Sequence, residues 1–378
     1  MHDVLVIGGG PVGLYTGLLL RRAGLDAVVL ERRTERSRHS RAIGIHPPAL
    51  TALDSAGVAD ALISRGVPIR EGIARSRGKH VAGVSFRDLP GKHGYVLAVP
   101  QAVTEEILEA MLDDEYPGTL RRGVSVGRVS DAGDRVFAET RTEGAEGLLE
   151  AALAVGADGA RSAVRDAAGI RAPGRTYPDC YVMGDFADTT SDGASAVLYL
   201  ETGGIVESFP LPGAVRRWVV RVARPVERPT AAGLAELIAV RTGMAVDPDS
   251  NSMLSAFEVR SRLARRLVAG RIALVGDAAH EVSPIGGQGM NLGWLDAEQL
   301  VPIIASSLRD GQDVGLRLRS FHTERRQAAR RARRMAHVNM ALGRPLPRAV
   351  LAPRNRLFAG LIGIPAVHAG MTRAFTMQ

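Results

Sequence analysis

The segment Gly8-Gly9-Gly10-Pro11-Val12-Gly13 constrains the fold more than any other part of this chain. It follows the apolar run Val4-Leu5-Val6-Ile7, which reads as a strand buried on both faces. It precedes a helical pattern that turns Leu14, Leu18 and Leu19 inward, and a second apolar strand, Ala27-Val28-Val29-Leu30, then ends at Glu31. Strand, glycine turn, helix and second strand make a βαβ unit with the G-x-G-x-x-G spacing of a dinucleotide site. The first glycine, Gly8, permits the tight turn; Gly10 lets the backbone approach a pyrophosphate; Gly13 lets the helix pack on the strand. Free N–H groups and the helix dipole then face the anion. Glu31 stands where a carboxylate accepts hydrogen bonds from an adenosine ribose. Glycines alone would equally suit a tight turn without a ligand. Strand, helix and distal acid together point to a bound dinucleotide, and leave NAD and FAD both open.

The rest of the 378 residues extends this beginning into two interleaved domains. Residues 41–64 read as helical, interrupted at Pro47-Pro48. Residues 66–99 lose that periodicity and become glycine-rich with strand-like runs at 81–86 and 95–99, before a helix resumes at Thr104. Strands are expected at 124–129, 135–140, 152–157 and 272–275, and a long helix near 289–308. Between 178 and 225 alternating segments such as 196–200 and 217–221 suggest an antiparallel sheet. The tail is expected to be helical, punctuated by Pro345, Pro347, Pro353 and Pro365. The fold class is therefore α/β. A Rossmann-type dinucleotide domain (1–75, 100–175 and 269–330) interleaves with a smaller mixed or antiparallel β-sheet domain (76–99 and 176–268), followed by C-terminal helices (331–378).

Composition removes several classes. The lone Cys180 excludes an internal disulfide, a cysteine zinc site and a redox dithiol, and no ligand cluster calls for a metal. The charge of +8 comes almost wholly from arginine, Lys79 and Lys92 being the only lysines. The run Arg325-Arg326, Arg330-Arg331, Arg333-Arg334 sits on an expected helix with few aromatics, so it reads as a solvated face and no nucleic acid is expected. No secretory leader and no membrane span are evident, so a cytoplasmic location is expected. The apolar segment 357–371 is broken by Pro365 and reads first as core packing, with pocket capping, subunit pairing or contact with a membrane-borne substrate as alternatives.

Two later segments are more specific. Gly156-Ala157-Asp158-Gly159 follows a buried strand and leads to Arg161 and Arg165. Gly276-Asp277-Ala278-Ala279-His280 follows another and continues through Pro284, Gly286-Gly287-Gln288-Gly289-Met290-Asn291 and Asp296. With the glycine fingerprint these motifs bracket residues 4–297, and in that order the chain resembles the group A flavoprotein monooxygenases, FAD-dependent aromatic hydroxylases of the para-hydroxybenzoate hydroxylase fold. The thioredoxin-like C-terminal domain of the larger phenol hydroxylases is not expected, since few residues follow the last motif.

The resemblance implies FAD as resident cofactor, NADPH or NADH as transient co-substrate, and dioxygen. It implies oxygen transfer through a flavin C4a-hydroperoxide to a phenol or a polycyclic aromatic natural product, by a monomer or homodimer. It carries cofactor contacts onto Gly8, Gly10, Val12, Gly13, Glu31, Arg32, Arg41 and Gln101, then Asp158, Gly276 and Asp277, and finally Pro284, Gly287, Gly289, Met290 and Asn291. Asp277 would meet the ribityl hydroxyls, and the helix after Pro284 would set its N-terminus against the flavin pyrimidine ring. A structural salt bridge at Asp158, Arg161 and Arg165 remains an alternative, and His280 reads as a structural imidazole. His46, Met183, Tyr199 and Phe209 are candidates for the substrate side, and no catalytic base is identified. Where the family carries an Arg-Thr pair after the proline near 47, this chain has Pro48-Ala49. Alternatives are a flavin-dependent reductase of quinones or prenyl chains, and a non-catalytic FAD-binding or nucleic-acid-binding protein. A halogenase lacks its Trp-x-Trp-x-Ile-Pro signature here.

Overall fold

A computed structural model describes residues 1–36 and 42–378. Among these residues two eight-stranded sheets face each other. The first has its centre in the N-terminal strand His2–Ile7, which pairs in parallel with Ala145–Gly156 on one side and Ala27–Glu31 on the other. Leu120–Arg122 and Ile272–Leu274 extend it in parallel, and the hairpin of Ser125–Asp131 and Val136–Thr142 branches from the long strand Ala145–Gly156. Val4, Leu5 and Val6 are fully buried because helices cover the sheet, which is why the strand sequence shows no polar alternation. The helix Pro11–Arg22 packs against Gln101–Glu115 and Gln288–Asp310, and Trp294 Nε1 donates to Pro11 O at 3.1 Å.

The second sheet runs in the order His280–Glu281, Met253–Leu263, Gly174–Ala187, Val215–Val222, Val206–Leu211, Ala196–Tyr199, Glu71–Ser76, Lys79–Ser85. Every pair is antiparallel except Ala196–Tyr199 with Glu71–Ser76. The strand Glu71–Ser76 thus joins this sheet, although the expected division at residue 75 placed it with the first. The sheet's two faces are different in kind. Cys180, Val182, Trp218, Val220, Val206 and Tyr199 pack under the helix Ala231–Thr242 through Leu234 and Ile238. Met183, Val219, Glu207, Phe209 and Leu198 look the other way, into the space between the two sheets.

Pro47-Pro48 does not interrupt a helix; it starts one, Pro47–Ser55. A proline in the first turn loses no hydrogen bond and already holds a helical φ, so the pair is an initiator there. Residues ahead of it form the short strand Gly44–Ile45, which pairs with Val96–Ala98 in a separate three-stranded sheet. The tail is helical, and Pro353 lies inside the helix Arg348–Ile362 where a break was expected. Among the described residues, no helix is long and apolar enough to cross a membrane.

Candidate active site

The glycine turn divides its labour as steric arithmetic requires. Gly8 has φ +109°, and a Cβ there would lie 2.4 Å from Ala157 O. A Cβ at Gly13 would lie 1.8 Å from Gly8 O, so this position fixes how closely the helix approaches the strand. Gly10 differs: a Cβ there would meet nothing within 4 Å. Gly10, Pro11 and Val12 line a cavity, and no side chain caps the helix they open. An uncapped helix N-terminus beside open space is a built anion site, so the turn fits a pyrophosphate.

At the end of the second strand, Glu31 is 5% exposed. Its Oε2 accepts the Gly9 N–H at 2.7 Å, and its Oε1 accepts from the backbone N–H and Nε of Arg33, both at 2.9 Å. Burial pushes this carboxyl up, but the hydrogen bonds from Arg33 and Gly9 outweigh it and hold Glu31 below its ordinary value. Arg32 beside it is exposed and does not line the cavity. Arg41 lies outside the described residues. Gln101 lines the cavity and donates from Nε2 to Glu105 Oε1 at 2.8 Å.

The Asp158 segment is a brace. Asp158 Oδ2 accepts the Val164 N–H at 3.1 Å, and Ser162 Oγ accepts the Arg165 N–H at 2.9 Å, together capping a short helix. The Arg165 guanidinium donates to Ala160 O at 3.1 Å and Ala278 O at 3.3 Å, tying this loop to the Gly-Asp turn. Asp158 itself does not line the cavity, although its neighbour Ala157 does.

Asp277 does reach the cavity, and its exposed surface opens into it. Burial of the surroundings, reinforced by the charge of Glu281 and opposed by His280, pushes its carboxyl up to about 6. Behind the turn, fully buried Asp296 accepts from Gly276 N–H at 3.0 Å, His280 Nε2 at 2.6 Å and Arg325 Nε at 2.7 Å. Burial raises Asp296, yet His280 and Arg325 hold it below its ordinary value; the same pairing raises His280 against its own burial. His280 touches no cavity wall, and holds the turn from behind.

The long helix Gln288–Asp310 begins at Gly287, whose φ of +66° and lack of a side-chain cap leave its first N–H groups open to the cavity. Pro284, Gly287, Gly289 and Met290 line that opening. Asn291 was expected among the cofactor contacts but is fully buried and committed to the backbone. Its Nδ2 donates to Gly44 O at 2.9 Å and Gly287 O at 2.7 Å, and its Oδ1 accepts the His46 N–H at 2.8 Å. It therefore fixes the helix start against the strand Gly44–Ile45 and offers nothing to a ligand. His46 Nε2 lies 3.1 Å from Gly286 O, and burial lowers its imidazole to about 4, so the ring is neutral with Nε2–H donating.

Gly10, Gln101, Asp277 and the start of Gln288–Asp310 line one cavity of about 740 Å³ that continues under the second sheet. His46, Met183 and Phe209, the candidates for the substrate side, line it. Tyr199 does not: it stacks on Trp218 at 5.9 Å on the opposite face, because its register partner is Val206 and not Glu207. Sequence reasoning missed Glu207 and Arg217 on the inner face, and Phe86 and Phe375, which stack at 5.7 Å and close one end. The C-terminal helices Arg348–Ile362 and Pro365–Phe375 supply Phe358, Ile362, Met371 and Phe375 to the wall, so the apolar tail caps the cavity. A charged residue at an inward position of an alternating strand was the available signal for Glu207. The tail carried no comparable signal.

The sequence profile of the FAD binding domain family matches residues 1–336. The chain is 32% identical over 393 residues to the 6-methylpretetramide 4-monooxygenase of Streptomyces rimosus, covering 97% of this chain and 70% of that protein. It is 31% identical over 388 residues to the rifampicin monooxygenase of Streptomyces venezuelae, covering 100% and 78%. The crystal structure of p-nitrophenol 4-monooxygenase from Pseudomonas putida DLL-E4 superimposes with a TM-score of 0.90 at 26% identity, covering 100% of this chain and 98% of that one. The chain belongs to this family, the FAD-dependent aromatic hydroxylases and monooxygenases of the para-hydroxybenzoate hydroxylase-type fold.

Proposed function

We propose that this flavoprotein consumes NADPH or NADH and dioxygen to hydroxylate a phenolic or polycyclic aromatic substrate. The observation that carries the reading is the continuity of the cavity, from an uncapped helix end and Asp277 to an apolar chamber under the second sheet. The residues present fit FAD: an open cradle at Gly10, a buried acid at Glu31, and an acid and a second helix N-terminus at Asp277 and Gly287. Bound FAD would accept a hydride from the nicotinamide and deliver one atom of dioxygen to the ring.

The chain's own contribution is positioning and electrostatics. Gly10 and the start of the helix Pro11–Arg22 would hold the pyrophosphate, and Glu31 would accept from ribose hydroxyls. Asp277, whose exposed carboxyl opens into the cavity, would accept from ribityl hydroxyls. The N-terminus of Gln288–Asp310 would stabilise negative charge on the reduced ring, and the Asn291 clamp keeps that N–H array in place. Phe86, Phe375 and the C-terminal helices exclude water from the chamber.

The test is turnover under labelled dioxygen. FAD-loaded protein is mixed with NADPH or NADH and a panel of phenols, and products are weighed. Incorporation of one labelled oxygen atom per product supports hydroxylation. Reduction of a quinone without label would support the reductase alternative, and no nicotinamide oxidation with any acceptor would refute the oxidoreductase reading.

A further inference from the structure

One group on the chamber wall is left over after the cofactor is accounted for. Glu207 sits at an inward position of the strand Val206–Leu211, between Leu198 and Val219 of the neighbouring strands. It is 8% exposed and lines the cavity. No hydrogen bond or ion pair to a described residue compensates it, and burial alone pushes its carboxyl up to about 7. The basic residues diagonal to it on Val215–Val222 are committed elsewhere. Arg217 binds Asp185 through two bonds of 2.6 and 2.7 Å, and Arg221 binds Asp179 at 3.2 Å. From Gly174–Ala187, Tyr181 feels the charge of Glu207. Its hydroxyl is buried with no hydrogen-bond partner among the described residues.

Other charged groups on the cavity wall are engaged as well. Arg260 pairs with Glu258 at 3.3 Å and Glu281 with Arg262 at 3.6 Å, while Arg354 at the C-terminal helix spends its guanidinium on Leu342 O at 2.7 Å and Asn355 Oδ1 at 2.9 Å. On the cofactor side, His46 is neutral and Asp277 faces the glycine turn's end of the cavity. A carboxyl kept in such a place costs stability unless a ligand satisfies it. Below about pH 7 it carries a proton and presents an O–H donor to the chamber.

We propose that Glu207 is the polar recognition group of the substrate chamber, donating a hydrogen bond to an aryl ketone carbonyl of an uncharged aromatic substrate and excluding aryl carboxylates. The proposal rests on the hydroxylase reading for what the bound ring undergoes, and stands separately for what the chamber accepts. A carboxylate brought to Glu207 finds an acid in place of a cation, because the arginines diagonal to it, Arg217 and Arg221, are held by aspartates. A carbonyl finds a donor.

The matched probes are acetonaphthone and naphthoate, which share a fused ring and differ by a methyl against a carboxylate oxygen. Dissociation constants are measured by fluorescence titration of the FAD-loaded protein on either side of neutrality, without reductant. Wild-type protein binds acetonaphthone at least roughly tenfold tighter than naphthoate. Its affinity for the ketone falls as pH rises through about 7, where Glu207 loses its proton. Glu207→Gln keeps an N–H donor, so it retains the affinity and loses the pH dependence. Glu207→Leu loses roughly tenfold in affinity for the ketone. Equal binding of the two probes by wild type, or a pH dependence that survives in Glu207→Gln, overturns the proposal. Should Glu207→Leu not fold, the Gln variant alone decides. Flavin content and nicotinamide-dependent bleaching of the same samples report on the hydroxylase reading independently, since neither involves Glu207.

Discussion

Gly10→Ala separates cofactor binding from folding, and the magnitudes follow from local geometry. Gly10 is the N-cap of the helix Pro11–Arg22, with φ −79° and ψ −177°, a conformation any residue adopts. An added Cβ meets nothing within 4 Å in the flavin-free protein. Two effects of about 0.5–1 kcal/mol then oppose each other: alanine is the poorer N-cap, but it restricts the unfolded chain. The net change in apoprotein stability is therefore close to zero. FAD meets a methyl group in the space its pyrophosphate requires. Displacing it from one or two charge-assisted N–H contacts costs about 1.5–3 kcal/mol, or roughly 10- to 100-fold in Kd. Gly13→Ala is the contrasting substitution: the same methyl lands 1.8 Å from Gly8 O, so backbone must move and the apoprotein itself loses about 1–3 kcal/mol or more. Urea unfolding of apoprotein and quenching of FAD fluorescence on titration read the two quantities separately. If Gly10→Ala binds FAD within about twofold of wild type, or destabilises the apoprotein as much as Gly13→Ala, the assignment of this turn is wrong.

Other perturbations address the remaining parts of the site. Asp296→Ala leaves His280, Arg325 and the Gly276 N–H without their shared buried acceptor, and is expected to cost about 3–5 kcal/mol in denaturant unfolding. Asp277 titrates at about 6 when folded against 3.8 ordinarily, so its folded form favours the proton and stability falls as pH rises through 6. Asp277→Asn should therefore raise the Tm of flavin-free protein above pH 6 and leave it little changed below 3.8. Tyr199→Phe should leave the substrate KM unaltered while Phe209→Ala raises it severalfold, since only Phe209 lines the chamber. Phe375→Ala opens the stack with Phe86 and the edge contact with His46, and is expected to increase peroxide released per nicotinamide oxidised. Unchanged coupling would remove the C-terminal helix from the list of elements that shield the chamber.

The first sheet is legible because its central strands are buried on both faces and its turns carry fixed spacings. Val4 to Ile7 has no polar alternation to misread, and Gly8, Gly10 and Gly13 each answer a distinct steric demand within one short loop. Pro47-Pro48 was misread because proline breaks a helix only from inside it, and its position relative to the helix start is set by the strand Gly44–Ile45 and the Asn291 clamp, far away in sequence. The side chain of Asn291 takes a structural part for a related reason. Its motif places it at a helix N-terminus that faces a ligand, but helical spacing puts its side chain back over Gly287 and across to Gly44.

The second sheet shows why a pocket is harder to read than a fold. Alternation splits each strand into two sets, but both faces of this sheet are covered, so burial does not say which set meets the substrate. Register does. Met183 pairs with Val219, Val219 with Glu207 and Glu207 with Leu198, which makes one continuous row. Val182, Val220, Val206 and Tyr199 make the adjacent row on the other face. Met183 and Tyr199 therefore exclude each other as chamber residues, a constraint that neither strand states by itself. On Gly174–Ala187, Val206–Leu211 and Val215–Val222, Asp179, Asp185, Glu207, Arg217 and Arg221 share the parity of Met183, whereas the parity of Tyr199 carries Ser208 and Arg216, with Arg75 and Glu258 on the flanking strands. Charged groups lie on both faces, so the row that meets the cavity is told by its lining, which takes Met183, Leu198, Glu207, Arg217 and Val219 together.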